Sequence, residues 1–266
     1  MREAPPAIRL TPALQACIAA YLAAMLLAFV DVRLSAVPLA LFLFLCIAAP
    51  FFPGFGFYLP VISRGCSGRR AVAITFDDGP DPVTTPALLE LLKRHDAAAT
   101  FFIIGGHAAE HRSLVKKILS DGHTIGNHSY HHSPLLMLRS LSHLRAEIRS
   151  TQALLSEFSV SSLAFRPPVG ITSPRLGPVL AEAGLICVNF SCRGFDAGNR
   201  RISRLSGKIL RRVKPDDIIL LHDRAPKSSV DLGKFLNEVE LILVGLNDKG
   251  LEIIPLSEII GRPITK

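Results

Sequence analysis

The sequence predicts an α/β protein: a mostly parallel sheet or barrel of about seven strands, preceded by an N-terminal transmembrane hairpin. Three observations carry that expectation. From Arg70 to the C-terminus, short apolar runs alternate with amphipathic stretches, the rhythm of strands and helices in a parallel sheet. Before them lie two long uncharged stretches, Pro12 to Val30 and Leu34 to Ser63. Finally, polar residues of catalytic type fall at the carboxyl ends of the apolar runs, where such folds collect ligand chemistry.

Each uncharged stretch is long enough to cross a bilayer core of ~30 Å as a helix, which takes roughly 20 residues. A cleaved signal peptide has one shorter apolar core. Two spans, about 12–30 and 34–53, separated only by Asp31-Val32-Arg33, predict a hairpin within residues 1–63. A pair of buried core helices is the alternative. Pro38, Pro50, Pro53 and Pro60 leave the end of the second span open. Arg2 and Arg9 precede the hairpin, and Arg64, Arg69 and Arg70 follow it in a basic junction at 64–70, against one arginine, Arg33, in the turn. The excess of positive charge on the flanks places them, and residues 71–266 behind them, on the cytoplasmic side.

Composition narrows the function classes. The 266 residues are 49% hydrophobic, with a mean hydropathy of +0.36, and the excess is concentrated in the hairpin. The net charge of +8 comes without a long basic run or an aromatic ladder, so nucleic acid is not an expected partner. A basic surface beside anionic lipid accounts for it, the lipid bilayer being the expected partner. Arg211, Arg212 and Lys214 read as a solvated helix end. Five cysteines, 17, 46, 66, 187 and 192, without a CxxC pair, predict neither a disulfide framework nor a structural zinc site.

The elements follow in order. AVAITF (71–76) is strand-like, and leucines 88, 89, 91 and 92 give 84–95 a helical period. ATFFIIG (99–105) is the next strand, HRSLVKKILSDG a helix ending at Gly122, HTIGNHS (123–129) a third extended run, and 138–158 a helix. LAFRPP, LICVNFS, DIILLHD and LEIIPL are the remaining strands. PRLGPVLAEAG, SRLSGKILRRV and VDLGKFLNEVELILVGL are the helices between them.

On the carboxyl rim so defined stand Asp77-Asp78, His128 with His132, Arg166, Asp196 and His222-Asp223. In HSYHH the two imidazoles at i and i+4 share one face of a helical turn and can bind one metal, with His131 pointing elsewhere. With one carboxylate they make an open three-ligand site for a divalent cation such as zinc, able to acidify water and polarise a carbonyl. A second carboxylate is then available as base. Read alone, DDGPD is also compatible with an Asx-type turn, to which Asp81 is suited, or with a magnesium-binding acidic pair.

TFDDGP (75–80), HSxxH (128–132), RPPVG (166–170) and LLHD (220–223) occur in this order. Together they resemble the NodB-homology polysaccharide deacetylases, carbohydrate esterase family four, over residues 70–260. The resemblance implies a distorted (β/α) barrel and metal-dependent removal of an N-acyl group from an amino sugar. It further implies Asp77 as general base and Asp78, His128 and His132 as ligands of a divalent metal, zinc first, with Co2+, Ni2+ or Mn2+ as alternatives. Arg166 would orient the catalytic groups, and Pro168 and Val169 would form the oxyanion turn through the Val169 N–H. His222 would be the general acid, tuned by Asp196, with Leu220 and Leu221 lining the acyl pocket. Two departures bear on the substrate: Val169 replaces the usual Tyr, and Ala197 stands where an aromatic residue usually follows the Asp of NFSCRGFDA. Arg193 offers contact to an anionic group such as phosphate, a surface arginine being the alternative. For a cytoplasmic domain of a multi-pass bacterial inner-membrane protein, the expected substrate is a polyprenyl-phosphate-linked N-acetyl or N-formyl amino sugar. On the other side of the membrane it is peptidoglycan or an exported polysaccharide.

Overall fold

The computed structural model describes residues 10–226 and 228–266; Arg2 and Arg9 of the expected basic flank lie outside them. Helix α1 (Pro12–Ala28) begins where the Thr11 side chain accepts from the Leu14 N–H and Pro12 takes the first position. A 3-10 turn, Val32–Ser35, opened by Asp31, leads into α2 (Ala36–Ala48), and a second 3-10 turn carries on to Phe51. The two helices pack on each other. Only Ala20 and Ala24 of α1 are buried and no residue of α2 is, while Met25, Leu26, Leu41, Phe44 and Ile47 are exposed. They are therefore not core helices of the domain, and their apolar surface stands exposed. Among the described residues one helical stretch, Val32–Phe51, with 20 residues and mean hydropathy 2.3, is long and apolar enough to cross a membrane. The 17 residues of α1 stand at the lower limit of a span, short of the usual ~20, so the structure does not establish the second crossing of the expected hairpin.

The chain then turns back onto the domain. Phe57 and Leu59 are buried, and Ala13 N–H donates to the Phe57 carbonyl at 3.0 Å. The strands are β1 (Val61–Ile62), β2 (Ala71–Asp77), β3 (Ala99–Ile103), β4 (Thr124–Asn127), β5 (Ala164–Phe165), β6 (Ile186–Val188), β7 (Cys192–Arg193), β8 (Ile218–His222) and β9 (Glu252–Ile253). They form one sheet in the order β1-β6-β5-β4-β3-β2-β8-β7, with β9 on the first residues of β2, and every pairing is parallel. The sheet curls into an open, distorted (β/α) barrel whose two edges are β1 and β7, as expected from the sequence. The crossovers are α3 (Thr84–Arg94), α4 (Gly105–Glu110), α5 (Arg112–Ser120), α6 (Leu141–Ser156), α7 (Leu176–Ala183), α8 (Leu205–Leu210) and α9 (Ser229–Asp248), with α10 (Leu256–Ile260) closing the chain.

Alternation along β2 and β8 separates two cores. Val72, Ile74, Phe76, Ile219 and Leu221 face the helices and pack with Leu88, Leu92, Leu205 and Phe235. Ala71, Ala73, Ile218 and Leu220 face inward, against Phe102, Val188, Ile259 and Ile260. The strand period of two therefore hands the inner, site-forming face to Thr75, Asp77, Leu220 and His222.

Candidate active site

The two carboxylates that end β2 reach the same cavity by different backbone means. Asp77 is the last inward position of the strand. Asp78 would point outward, but its φ of +76° breaks the extended backbone, and both side chains are buried on the inner rim. Asp81 supplies the turn chemistry, accepting from the N–H groups of Val83 and Thr84. His107, on α4, hydrogen-bonds the Asp78 carbonyl at 2.9 Å, a support that no motif in the sequence advertised.

The imidazoles come together differently from the sequence expectation. Residues 128–132 form no helical turn; left-handed Ser129 (φ 67°) and His132 (φ 52°) fold the loop back on itself. The His128 and His132 ring centroids stand 4.8 Å apart. Their Nε2 atoms lie 3.6 Å and 3.3 Å from Asp78 Oδ1. His131 points away, as expected, and with the Tyr130 and His131 N–H groups it donates to the buried Glu147 carboxylate of α6. Burial raises the Glu147 carboxyl, yet these hydrogen bonds leave it below its ordinary pKa.

A divalent metal fits this group. The candidate donor atoms of Asp78, His128 and His132 all lie within 4.8 Å of one another. His128 Nδ1 is 2.8 Å from the Arg166 carbonyl, so it carries the proton and leaves the Nε2 lone pair to the site. Burial and then the neighbouring His128 push His132 down to about 4, toward the neutral form a ligand needs. Burial raises the Asp78 carboxyl, but the two imidazoles bring it well below the usual carboxylate range.

Around these ligands stand the proton-handling groups. Arg166 is fully buried; its Nη1 donates to Asp77 Oδ1 at 2.6 Å and to Thr75, and its other donors reach the Val188 and Asn189 carbonyls. The guanidinium also lies over the Phe102 ring at 3.9 Å. Across the cavity His222 Nδ1 meets Asp196 Oδ2 at 2.8 Å. Burial opposes charge on His222, but Asp196 outweighs it and raises the imidazole to about 9. The Asn199 amide ties the Asp196 loop to β8, donating to the His222 and Arg224 carbonyls. Behind His222, buried Asp223 is pushed up to about 7 by burial and accepts from Thr84 and Thr85.

The wall of this cavity of about 550 Å³ corrects two assignments. Leu220, not Leu221, lines it: in strand register Leu221 faces the helices and is wholly buried in the outer core. Pro168 is buried beneath the turn, leaving Val169 and Gly170 at the surface of the cavity. Val169 is 50% exposed with φ 53°. For a β-branched residue this left-handed backbone costs on the order of 1–3 kcal/mol, the kind of strain found at ligand-binding turns. Arg193 lines the cavity as expected; Arg200, Arg201 and Arg224 join it. They come from loops just beyond LLHD and NFSCRGFDA, and only the fold turns them toward the cavity.

Geometry and sequence relatives now agree. The family pattern described as Polysaccharide deacetylase matches residues 64–188. A chitooligosaccharide deacetylase of Azorhizobium caulinodans is 34% identical over 203 residues, 73% of this chain and 96% of that protein. The chain belongs to the polysaccharide deacetylase family. A peptidoglycan-N-acetylglucosamine deacetylase of Bacillus cereus is 32% identical, over 73% of this chain and 90% of its own. The crystal structure of the Bc1960 peptidoglycan N-acetylglucosamine deacetylase superimposes with a TM-score of 0.70 at 28% identity, covering 77% of this chain and 94% of that one. This polysaccharide deacetylase is thus an amidohydrolase acting on N-acetyl amino sugars, built on the family's metal-dependent site.

Proposed function

We propose that the protein is a membrane-tethered N-deacylase of an amino sugar carried on a polyprenyl-phosphate glycolipid. It would act at the cytoplasmic face of a bacterial inner membrane, during modification of surface glycan or lipopolysaccharide, and remove an acetyl or formyl group. The observation that carries the reading is the union of anchor and site. The chain leaving the exposed apolar stretch Val32–Phe51 runs straight to the cavity wall, where the Asn189 amide donates both to the Pro53 carbonyl at 2.8 Å and to the Gly170 carbonyl at 3.1 Å.

In this reading Asp77, held by Arg166, takes the proton of the attacking water. The water oxygen adds to the amide carbonyl carbon, and the Val169 N–H donates to the resulting oxyanion. His222 delivers its proton to nitrogen as the C–N bond breaks, giving a free amine and a carboxylate. Leu220 bounds the space for the small acyl group. A divalent cation held by Asp78, His128 and His132, zinc in first place with Co2+, Ni2+ or Mn2+ as alternatives, supplies Lewis-acid activation when bound.

The test is release of acetate or formate by the detergent-solubilised chain from lipid-linked amino sugars, set against release from peptidoglycan. Alkaline phosphatase and GFP fused to the C-terminus fix the side. A bright GFP and silent phosphatase are expected; the reverse would overturn the cytoplasmic placement. The second reading, a periplasmic deacetylase of peptidoglycan or an exported polysaccharide, draws on the names of the relatives. It also draws on the single full-length span, since one crossing would put the domain opposite the N-terminus.

A further inference from the structure

We propose that a side chamber of the cavity binds the phosphate of the substrate between Arg193 and Arg212 and passes the attached hydrocarbon along Phe52 and Phe55 toward α2. This rests on the glycolipid reading and assigns the residues that would recognise it. The chamber, about 400 Å³, adjoins the catalytic cavity, Phe190, Arg193 and Phe195 lining both. It lies where the curled sheet stays open, between Ser63, which follows edge strand β1, and Arg193 on edge strand β7.

Its two cations are built in rather than stray. Phe195, 53% exposed and held in a left-handed backbone (φ 56°), is the shared platform. The Arg193 guanidinium sits 4.4 Å from its ring centroid and that of Arg212 5.5 Å; Arg193 also lies 5.3 Å from the Phe190 centroid. Stacking fixes a guanidinium while leaving its N–H edge free for a phosphate. Among the described residues neither guanidinium is within 4.0 Å of a carboxylate, whereas Arg64, Arg69, Arg112 and Arg145 each are. Arg212 is exposed just past the end of α8, as the sequence leads one to expect, and its guanidinium also lies against Phe195 and lines the chamber. Phe52 and Phe55, both exposed, come directly after the apolar stretch that ends at Phe51. Acyl-cleaving groups, paired cations, aromatic rings and an apolar helix therefore follow one another in space. That is the order of sugar, phosphate and hydrocarbon in one amphiphile.

Geranyl phosphate, geraniol and inorganic phosphate, titrated calorimetrically into the full chain in detergent, test this. Geranyl phosphate should bind about tenfold or more tightly than either of its parts. R193Q/R212Q should weaken it by at least about tenfold, as expected for lost charge-assisted bonds, while R193K/R212K should retain part of the affinity. F52S/F55S should weaken geranyl phosphate and leave inorganic phosphate as it was. Equal binding of geranyl phosphate by wild type and R193Q/R212Q would overturn the proposal. So would loss of affinity for phosphatidylglycerol vesicles alone, which would assign the arginines to bulk headgroups. Turnover of lipid-linked sugar with an unchanged geranyl phosphate affinity in R193Q/R212Q sinks this inference and spares the glycolipid reading. No turnover of lipid-linked sugar, with arginine-dependent geranyl phosphate binding intact, sinks that reading and upholds the chamber.

Discussion

Asp77 and Asp78 are neighbours in sequence and in space, yet their surroundings differ. Asp77 is bonded to a buried guanidinium and Asp78 faces two imidazoles. Asp77→Asn should therefore keep its metal, measured by elemental analysis, while kcat falls by roughly 10²–10⁴ for want of a base. Retained turnover would remove Asp77 from the role proposed for it. His222 gives a pH signature. As general acid it must be protonated, so kcat/KM should fall as pH rises through about 9. Asp196→Asn removes the strongest contribution that raises His222, and the fall should move toward lower pH, readable in a pH–rate profile. By linkage, the same pair contributes stability that is complete below the unfolded histidine value of ~6.5 and is lost as pH rises through about 9. At this scale the sequence was largely legible. Seven polar residues at strand ends converge, because the fold aims strand ends at one rim. Arg200, Arg201 and Arg224 were not, since irregular loops have no period to read.

At the scale of elements, register decides what a side chain does. Leu220 and Leu221 look equivalent in LLHD, but the period of two sends one to the cavity and the other to the core. Leu221→Ala should cost about 2–5 kcal/mol of stability in denaturant unfolding with little change in acyl preference. Leu220→Ala should instead widen the range of acyl groups accepted. The HSYHH loop depends on α6 in the same way. Glu147→Ala frees the Tyr130 and His131 N–H groups, and zinc affinity, followed by competition with a chelator, should drop about 10–100-fold. A helical period was the wrong ruler for this loop, because two left-handed residues do the folding. Strands that sit in apolar runs between helices were legible, even β5 and β9 with two residues each. By contrast, β1 lies at the end of the long uncharged stretch and β7 directly behind LICVNFS, so neither stands out as a run of its own.

At the scale of the whole molecule, the apolar start of the chain and the catalytic domain are distinct in composition and joined in structure. The sequence separated them at the basic junction 64–70. The structure instead carries the residues that follow the apolar helices into the domain, with Phe57 and Leu59 in its interior and β1 on the edge of its sheet. That docking could not be read beforehand, because the contacts span more than a hundred residues and leave no local pattern.

The Asn189 side chain makes the junction more than a place of attachment. One amide grips Pro53 with one hydrogen bond and Gly170, beside the strained Val169, with the other. The segment that follows the apolar helices is thus tied to the backbone behind the Val169-Gly170 turn of the cavity. A version lacking residues 1–60 should still fold around its metal, yet turn over small water-soluble sugars more slowly than the intact chain. Cutting that segment away would therefore disturb the turn beside the reacting groups as well as shorten the chain.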